Sequence, residues 1–76
     1  MSWKPEFEFL CEFAGRLRTA MLKKHLTQAD ISDAVGVSRQ VVCRYVNGLS
    51  APSYPTLIAL CKTLGVSADY LLGLEV

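Results

Sequence analysis

Residues 27–47 read TQADISDAVGVSRQVVCRYVN, and their pattern of caps and turns predicts two short helices. Thr27 is followed by Asp30 at the spacing of a capping box, the pattern that opens a helix. The helix is expected over about residues 28–35. Gly36 then ends it, because a helix end often needs a residue in the left-handed conformation.

A second helix follows after a very short connection. Ser38 is the predicted N-terminal cap of this helix, which is expected over about residues 39–46. Asn47 and Gly48 end this helix, because both residue types tolerate positive φ. Only residues 36–38 separate the two helices, so the helices must cross steeply. The spacing therefore predicts a helix-turn-helix.

A long helix precedes this pair. Pro5 suits its first turn, and the helix is expected to continue to Lys24. Apolar residues at spacings of three and four give it one buried stripe: Leu10, Phe13, Ala14, Leu17 and Met21. Residues 1–12 are its N-terminal extension. The aromatic residues there either cover the edge of the core or join a dimer contact: Trp3, Phe7 and Phe9.

Two shorter helices come after the pair. Ser53 predicts the cap of a helix over about residues 54–64, and Ser67 the cap of a last helix ending near Leu72. No segment has the alternating pattern of a strand, and a chain of 76 residues makes one domain at most. The sequence therefore predicts a single all-α domain of five helices over residues 1–76.

The charge of the chain is unevenly distributed. The net charge is only +1, but residues 16–48 hold six basic and two acidic residues, a net charge of +4. The positive charge thus coincides with the predicted helix pair, as expected of a nucleic-acid binder. Four basic residues of the long helix are interpreted as solvated surface charge, with DNA contact as the alternative: Arg16, Arg18, Lys23 and Lys24.

The third helix has two chemically different faces when its residues are placed at about 100° per residue. Val42, Tyr45 and Val46 gather on an inner side. The outer side and its edges carry hydrogen-bond donors and no acid: Gln40, Arg44 and Asn47, flanked by Arg39, Cys43 and Val41. An exposed helix face is polar in any case, but the helix-turn-helix spacing before this one favours DNA.

The outer face predicts the contacts with DNA. Arg can donate two hydrogen bonds to guanine, Gln can pair with adenine, and an aliphatic side chain can touch a thymine methyl group. The expected base contacts are Arg39, Gln40, Val41 and Arg44. Phosphate contacts are expected from helix N-termini and nearby polar groups. The expected phosphate contacts are Gln28, Ser38, Cys43 and Asn47.

The motifs together resemble the lambda-repressor-like helix-turn-helix family of phage repressors and Cro proteins, the XRE type. The resemblance covers about residues 13–73. It rests on Arg16-Leu17-Arg18, Leu26-Thr27-Gln28-Ala29-Asp30-Ile31, Val35-Gly36-Val37-Ser38, Val42, Asn47-Gly48, Pro52-Ser53 and residues 64–73. It implies five helices, a homodimer and a near-palindromic operator. It also implies base contacts from Arg39, Gln40 and Arg44, and phosphate contacts from Gln28 and Asn47.

Two positions depart from the family pattern. The family often places Arg where this chain has Met21 and Glu where it has Val46, and the two form an ion pair. A well-packed apolar pair can replace a buried ion pair at little cost, so we expect Met21 and Val46 to touch. His25 stands where the family prefers Gly, and it is interpreted as a strained turn residue.

The function expected from these features is sequence-specific binding of double-stranded DNA. The chain would act as a transcriptional regulator, a repressor, in the cytoplasm, and would be bacterial or phage-encoded. The residues expected at the dimer contact are Tyr70, Leu71, Leu74 and Val76, which alternatively only complete the core. The alternative function is a protein-interaction module, such as an antitoxin or anti-repressor.

Other classes of function lack the residues they need. One His, no glycine-rich phosphate loop and no metal set argue against an enzyme, a cofactor or a bound metal. Three dispersed cysteines argue against a disulfide framework and are interpreted as buried or idle thiols, with oxidation of Cys43 as the alternative. No apolar run is long enough to span a membrane, and no signal peptide is expected.

Overall fold

Five helices make up the regular structure of residues 6–74, the part of the chain that a computed structural model describes. Their bounds are α1 (Glu6–Lys24), α2 (Gln28–Val35), α3 (Arg39–Val46), α4 (Tyr54–Leu64) and α5 (Ala68–Leu72). No strand occurs among these residues. The all-α prediction is confirmed. Expectations about Trp3, Pro5, the Phe7 side chain and Val76 lie outside the described residues and side chains.

Local hydrogen bonds fix the beginning of α2. The Asp30 backbone N–H donates to Thr27 Oγ1 over 3.1 Å, and the Thr27 N–H donates to Asp30 Oδ2 over 2.9 Å. This reciprocal pair confirms the capping box. The backbone N–H of Thr27, and to a smaller extent its side chain, lowers the pKa of the Asp30 carboxyl below its usual value. The ionised carboxylate therefore belongs to the folded state.

Serines stand at the starts of α3, α4 and α5, and two of them cap the helix with their side chains. Ser38 Oγ accepts from the Val41 N–H over 3.2 Å, and Ser67 Oγ accepts from the Tyr70 N–H over 3.0 Å. Ser53 has the extended backbone of an N-cap, but its side chain makes no cap hydrogen bond. Its hydroxyl instead bonds the Thr56 hydroxyl. The predicted position of the α4 cap is confirmed, but the Ser53 side chain does not make the hydrogen bond expected of a cap.

The turns that follow α1 and α3 each contain a residue in the left-handed conformation. His25 has φ 57°, so the strained turn expected at the end of α1 is present. After α3, Asn47 keeps φ −99° and Gly48 alone takes a positive φ, 72°. A Cβ at Gly48 would lie 3.4 Å from the Leu10 carbonyl oxygen. Glycine therefore allows both the turn and the close approach of α1.

The core lies between α1 and the four shorter helices. Helix α1 packs on α3, α4 and α5, while α2 packs on α3 and α4. The expected stripe of α1 is buried except for Leu10, which is half-buried. The fully buried large side chains come from all five helices: Phe13, Leu17, Ile31, Val42, Leu60, Leu64 and Leu71. This packing sets the orientation of α2 and α3.

Candidate nucleic-acid interface

The turn between α2 and α3 is held by hydrogen bonds on both sides. Gly36 takes φ 82°, and its N–H donates to the Ser32 carbonyl over 2.9 Å. The Ser32 hydroxyl reaches across the turn and donates to the Val37 carbonyl over 2.5 Å. Ser38 then caps α3. The short connection is therefore held by hydrogen bonds, and it sets the direction of α3 relative to α2.

The inner face of α3 is the one predicted from its sequence. Val42, Tyr45 and Val46 are all buried, with Val42 fully so. Burial raises the pKa of the Tyr45 hydroxyl, so this group is neutral at physiological pH. Anchoring α3 through three side chains fixes which way its remaining side chains point.

The outer face of α3 is exposed and contains no acidic side chain. Its exposed residues are Arg39, Gln40, Cys43, Arg44 and Asn47. The expected base-contacting residue Val41 is different, because it is half-buried against the core. It can offer only part of its side chain to a ligand. The other expected base contacts stand on one solvent-facing surface.

The C-terminal turn of α3 ties two expected phosphate contacts to each other. Asn47 Nδ2 donates to the Cys43 carbonyl oxygen over 2.8 Å and lies 3.2 Å from Cys43 Sγ. Both side chains remain exposed. The Asn47 amide is thereby held in one orientation at the end of the helix, beside the Cys43 thiol.

Arg18 has a role that the sequence analysis missed. Its Nη1 donates to the backbone carbonyl oxygen of Val46, in the last turn of α3. A cation at a helix C-terminus interacts favourably with the carbonyl groups exposed there. Arg18 is exposed, as expected of a surface charge, and it is in addition bonded to the end of α3. A signal was available, since Arg18 lies one turn before Met21, where the family places its own arginine.

Arg18 also borders a small cavity between α1, the start of α2 and the end of α3. The cavity has a volume of about 220 Å³ and is lined by Arg18, Met21, Leu22, Leu26, Gln28 and Val46. Met21 and Val46 are both buried and share this cavity. The apolar pair thus occupies the place where the family has an ion pair, while Arg18 supplies a cation from one turn away.

Comparison with known proteins identifies the family. The helix-turn-helix family matches residues 17–71, which include all of α2, α3 and α4. The chain belongs to this family. The fold and the position of the motif at α2 and α3 agree with the resemblance inferred from the sequence. Membership also agrees with the prediction that this domain is not an enzyme.

Two relatives come from Bacillus subtilis strain 168. The chain is 38% identical over 60 residues to the uncharacterized HTH-type transcriptional regulator YqaE, covering 79% of this chain and 52% of the relative. It is 37% identical over 60 residues to the SPbeta prophage-derived uncharacterized HTH-type transcriptional regulator YonR, covering 79% of this chain and 56% of the relative. The chain therefore matches about half the length of each relative.

A solved structure shares the fold. The restriction-modification controller protein C.AhdI from Aeromonas hydrophila superposes with a TM-score of 0.76 at 26% sequence identity. The superposition covers 82% of this chain and 94% of the controller protein. The helix arrangement of this domain is thus found over nearly the whole of that solved chain.

Two other basic side chains of α1, Arg16 and Lys24, lie beside the glycines that end α5 and α4. Arg16 Nη2 pairs with Glu12 Oε1 at 3.4 Å, and its guanidinium lies against Gly73, where a Cβ would be 2.9 Å from Nη1. The Lys24 ammonium lies beside Gly65 in the same way. Glycines 73 and 65 end α5 and α4, so both cations sit at helix C-termini. Neither belongs to the outer face of α3.

The residues expected at a dimer contact do not share one environment. Leu71 is fully buried, so it belongs to the core and offers no surface to a second chain. Tyr70 is half-buried, and Leu74 is 65% exposed. Val76 lies outside the described residues. The exposed part of this patch is therefore Tyr70 with Leu74.

All three cysteines of the chain lie within residues 6–74. Cys11 and Cys43 are exposed rather than buried, and Cys61 is half-buried, with a pKa that burial raises. All three cysteines are unpaired. No group of three His, Cys, Asp or Glu side chains within the described part could hold a metal ion. None of its helices combines the length and apolarity needed to cross a bilayer.

Proposed function

We propose that this domain is the DNA-reading part of a transcriptional regulator, a repressor, and that α3 enters the major groove of double-stranded DNA. The observation that carries the proposal is the division of α3 into a buried apolar face and an exposed acid-free face. The short, hydrogen-bonded turn holds that face outward. The names of the two Bacillus relatives, both HTH-type transcriptional regulators, support the same function.

Three exposed side chains read the bases in this proposal. Arg39 and Gln40 lie in the first turn of α3, the part of a recognition helix that meets base edges. Arg44 lies one turn further along the same surface. The guanidinium groups match the two acceptors of guanine, and the Gln40 amide matches adenine. Val41 touches a thymine methyl group with the exposed part of its side chain.

Four residues at helix ends hold the phosphate backbone. Gln28 is the first residue of α2, where unpaired N–H groups favour an anion. The Ser38 hydroxyl accepts the Val41 N–H, so its own hydrogen remains available for a phosphate oxygen. Cys43 and Asn47 stand together at the far end of α3. These contacts set the position of α3, while the base contacts set the sequence.

We further propose a homodimer on a near-palindromic operator. Tyr70 and Leu74 form the exposed centre of the contact, Leu71 supports them from the core, and Val76 extends it. Two copies of α3 then face half-sites about 34 Å apart. DNA is the partner, with no cofactor and no membrane. The proposed setting is the cytoplasm of a bacterium or phage host, which agrees with the relatives from Bacillus and its prophage.

Selection from a random duplex library tests the proposal. The purified chain is expected to enrich one palindromic sequence, with an affinity that falls steeply as salt rises, because counterions leave the phosphates on binding. The same selection with the Arg44→Ala variant is the matched control. Its selected sequences are expected to lose the preference at one base position. If no sequence is enriched and duplex binding stays negligible at low salt, the DNA-reading proposal fails in favour of a protein-interaction module.

A further inference from the structure

Arg18 lies at the corner where three helices meet. Its guanidinium is bonded to the Val46 carbonyl at the end of α3, and it shares a cavity with Gln28 at the start of α2. The side chain nevertheless remains exposed to solvent. Arginine carries five N–H donors, and one carbonyl bond leaves donors available for a further ligand.

We propose that Arg18 and Gln28 together bind one phosphate of the DNA backbone. The inference rests on the proposed function and extends it to a residue of α1. The Arg18 guanidinium offers a charged, planar pair of donors, the arrangement that matches phosphate oxygens. Gln28 lines the same cavity, and its amide and the N-terminus of α2 supply further N–H groups.

The surroundings of Arg18 favour an anion as the ligand. The cavity lining contains no acidic residue, so no carboxylate of the described chain competes for the guanidinium there. Its other walls are apolar, made of Met21, Leu22, Leu26 and Val46. Apolar side chains accept no hydrogen bonds, so these walls leave the remaining donors of Arg18 available to an anion.

The bond to Val46 also prepares the side chain for binding. A free arginine loses much rotamer freedom when it grips a ligand. Arg18 is already held against α3, so less freedom remains to be lost when a phosphate arrives. The same bond joins the phosphate contact to the reading helix, and a bound phosphate thereby fixes α3 relative to the backbone of the duplex.

The salt dependence of binding to the selected duplex tests the assignment. Each phosphate contact contributes about 0.9 to the slope of log K against log salt. Arg18→Gln is expected to lower the slope by about 1 for each bound domain. Arg18→Lys keeps the charge and is expected to keep the slope while losing part of the affinity. Lys62→Gln is the matched control, because Lys62 is an exposed cation of α4 and does not line the cavity of Arg18.

The outcomes separate a phosphate contact from mere support of α3. An affinity loss in Arg18→Gln with an unchanged slope overturns the proposal, since support alone does not change the number of phosphates neutralised. Equal slope changes in Arg18→Gln and Lys62→Gln also overturn it, because they show only a loss of overall charge. Wild-type chain that binds no duplex contradicts the proposed function itself, before any variant is compared.

A measurement on the wild-type chain covers the case in which Arg18→Gln does not fold. The duplex is prepared with neutral methylphosphonate at one backbone position at a time. Isotope-labelled arginine side chains are observed by NMR. One replaced phosphate is expected to remove the shift that DNA causes in the Arg18 guanidinium signal. If no replacement changes that signal, Arg18 does not bind a phosphate.

Discussion

Helices α3 and α4 are anchored alike and differ in what they expose. Each buries three apolar side chains: Val42, Tyr45 and Val46 in α3, and Leu57, Leu60 and Leu64 in α4. The exposed face of α3 carries Arg39, Gln40 and Arg44. The exposed face of α4 carries Tyr54, 77% exposed, and Ile58, 42% exposed, with Lys62.

The difference separates placement from chemistry. Burial of an apolar face positions each helix, but such burial does not distinguish a helix that reads DNA from a structural one. The exposed residues make the distinction, because the donors of α3 match base edges and the aromatic and aliphatic side chains of α4 do not. Substitutions at equivalent places in α3 and α4 can therefore test the account.

Truncation of the buried faces should have the largest effect. Leu60→Ala removes a fully buried side chain of α4 and is expected to lower the free energy of unfolding by about 2–5 kcal/mol. Val42→Ala removes two buried methyl groups of α3 and should cost about 2 kcal/mol. Urea unfolding followed by circular dichroism measures both. A Val42→Ala chain as stable as wild type would mean that α3 is not anchored through this face.

Truncation of the exposed faces should affect binding only. Arg44→Ala is expected to weaken binding to the selected duplex by about 1–3 kcal/mol and to relax the preference at one base pair. Lys62→Ala removes an exposed cation of α4 and should leave the preference unchanged. Fluorescence anisotropy with matched and single-base-changed duplexes gives both values. An equal loss on every duplex would make Arg44 a phosphate contact, and a larger loss from Lys62→Ala would contradict the assignment of α3.

The two serine caps should differ by a smaller amount. Ser38→Ala removes a hydrogen bond to the Val41 N–H and is expected to cost about 1 kcal/mol of stability. Ser53→Ala removes no cap bond, because the Ser53 hydroxyl bonds the Thr56 hydroxyl. Ser53→Ala should therefore lower the stability less than Ser38→Ala does, when both variants are measured by thermal unfolding. The reverse order would show that the Ser38 side chain does not cap α3.

Acid should loosen α2 before α3 or α4. Only α2 among these three has an acidic residue in its first turn, Asp30. Its pKa is lowered in the folded chain, so its contribution is present above the ordinary value of 3.8 and is lost as pH falls through the folded value. Amide exchange at Ile31 is expected to quicken there more than at Val42. Asp30→Asn should remove this pH dependence, and its persistence would point to another group.

The helices were predictable because their boundaries depend on neighbouring residues. The caps at Thr27 and Ser38 act within three residues, and the observed bounds of α2, α3 and α4 match the expected ones. Ser53 was predictable in position, because its backbone is set locally. Its missing cap bond was not, since the Thr56 hydroxyl competes for the same group.

The candidate site was predictable where it depends on one helix and not where it joins distant segments. The two faces of α3 follow from its periodicity alone. The bond from Arg18 to the Val46 carbonyl joins residues 28 positions apart, and no periodicity relates them. Leu71 shows the same limit. An apolar residue near the chain end can face a partner or the core, and the packing of α5 on α1 and α4 puts it in the core.

Backbone amide shifts in the presence of the selected duplex test the central claim most directly, because they report on α3 and α4 in one experiment. The largest shifts are expected at Arg39, Gln40 and Arg44, with the amides of Tyr54 and Ile58 nearly unchanged. A duplex of unrelated sequence should give smaller shifts at the same α3 positions. Shifts concentrated on Tyr54 and Ile58, with α3 unchanged, would contradict the claim that α3 reads DNA.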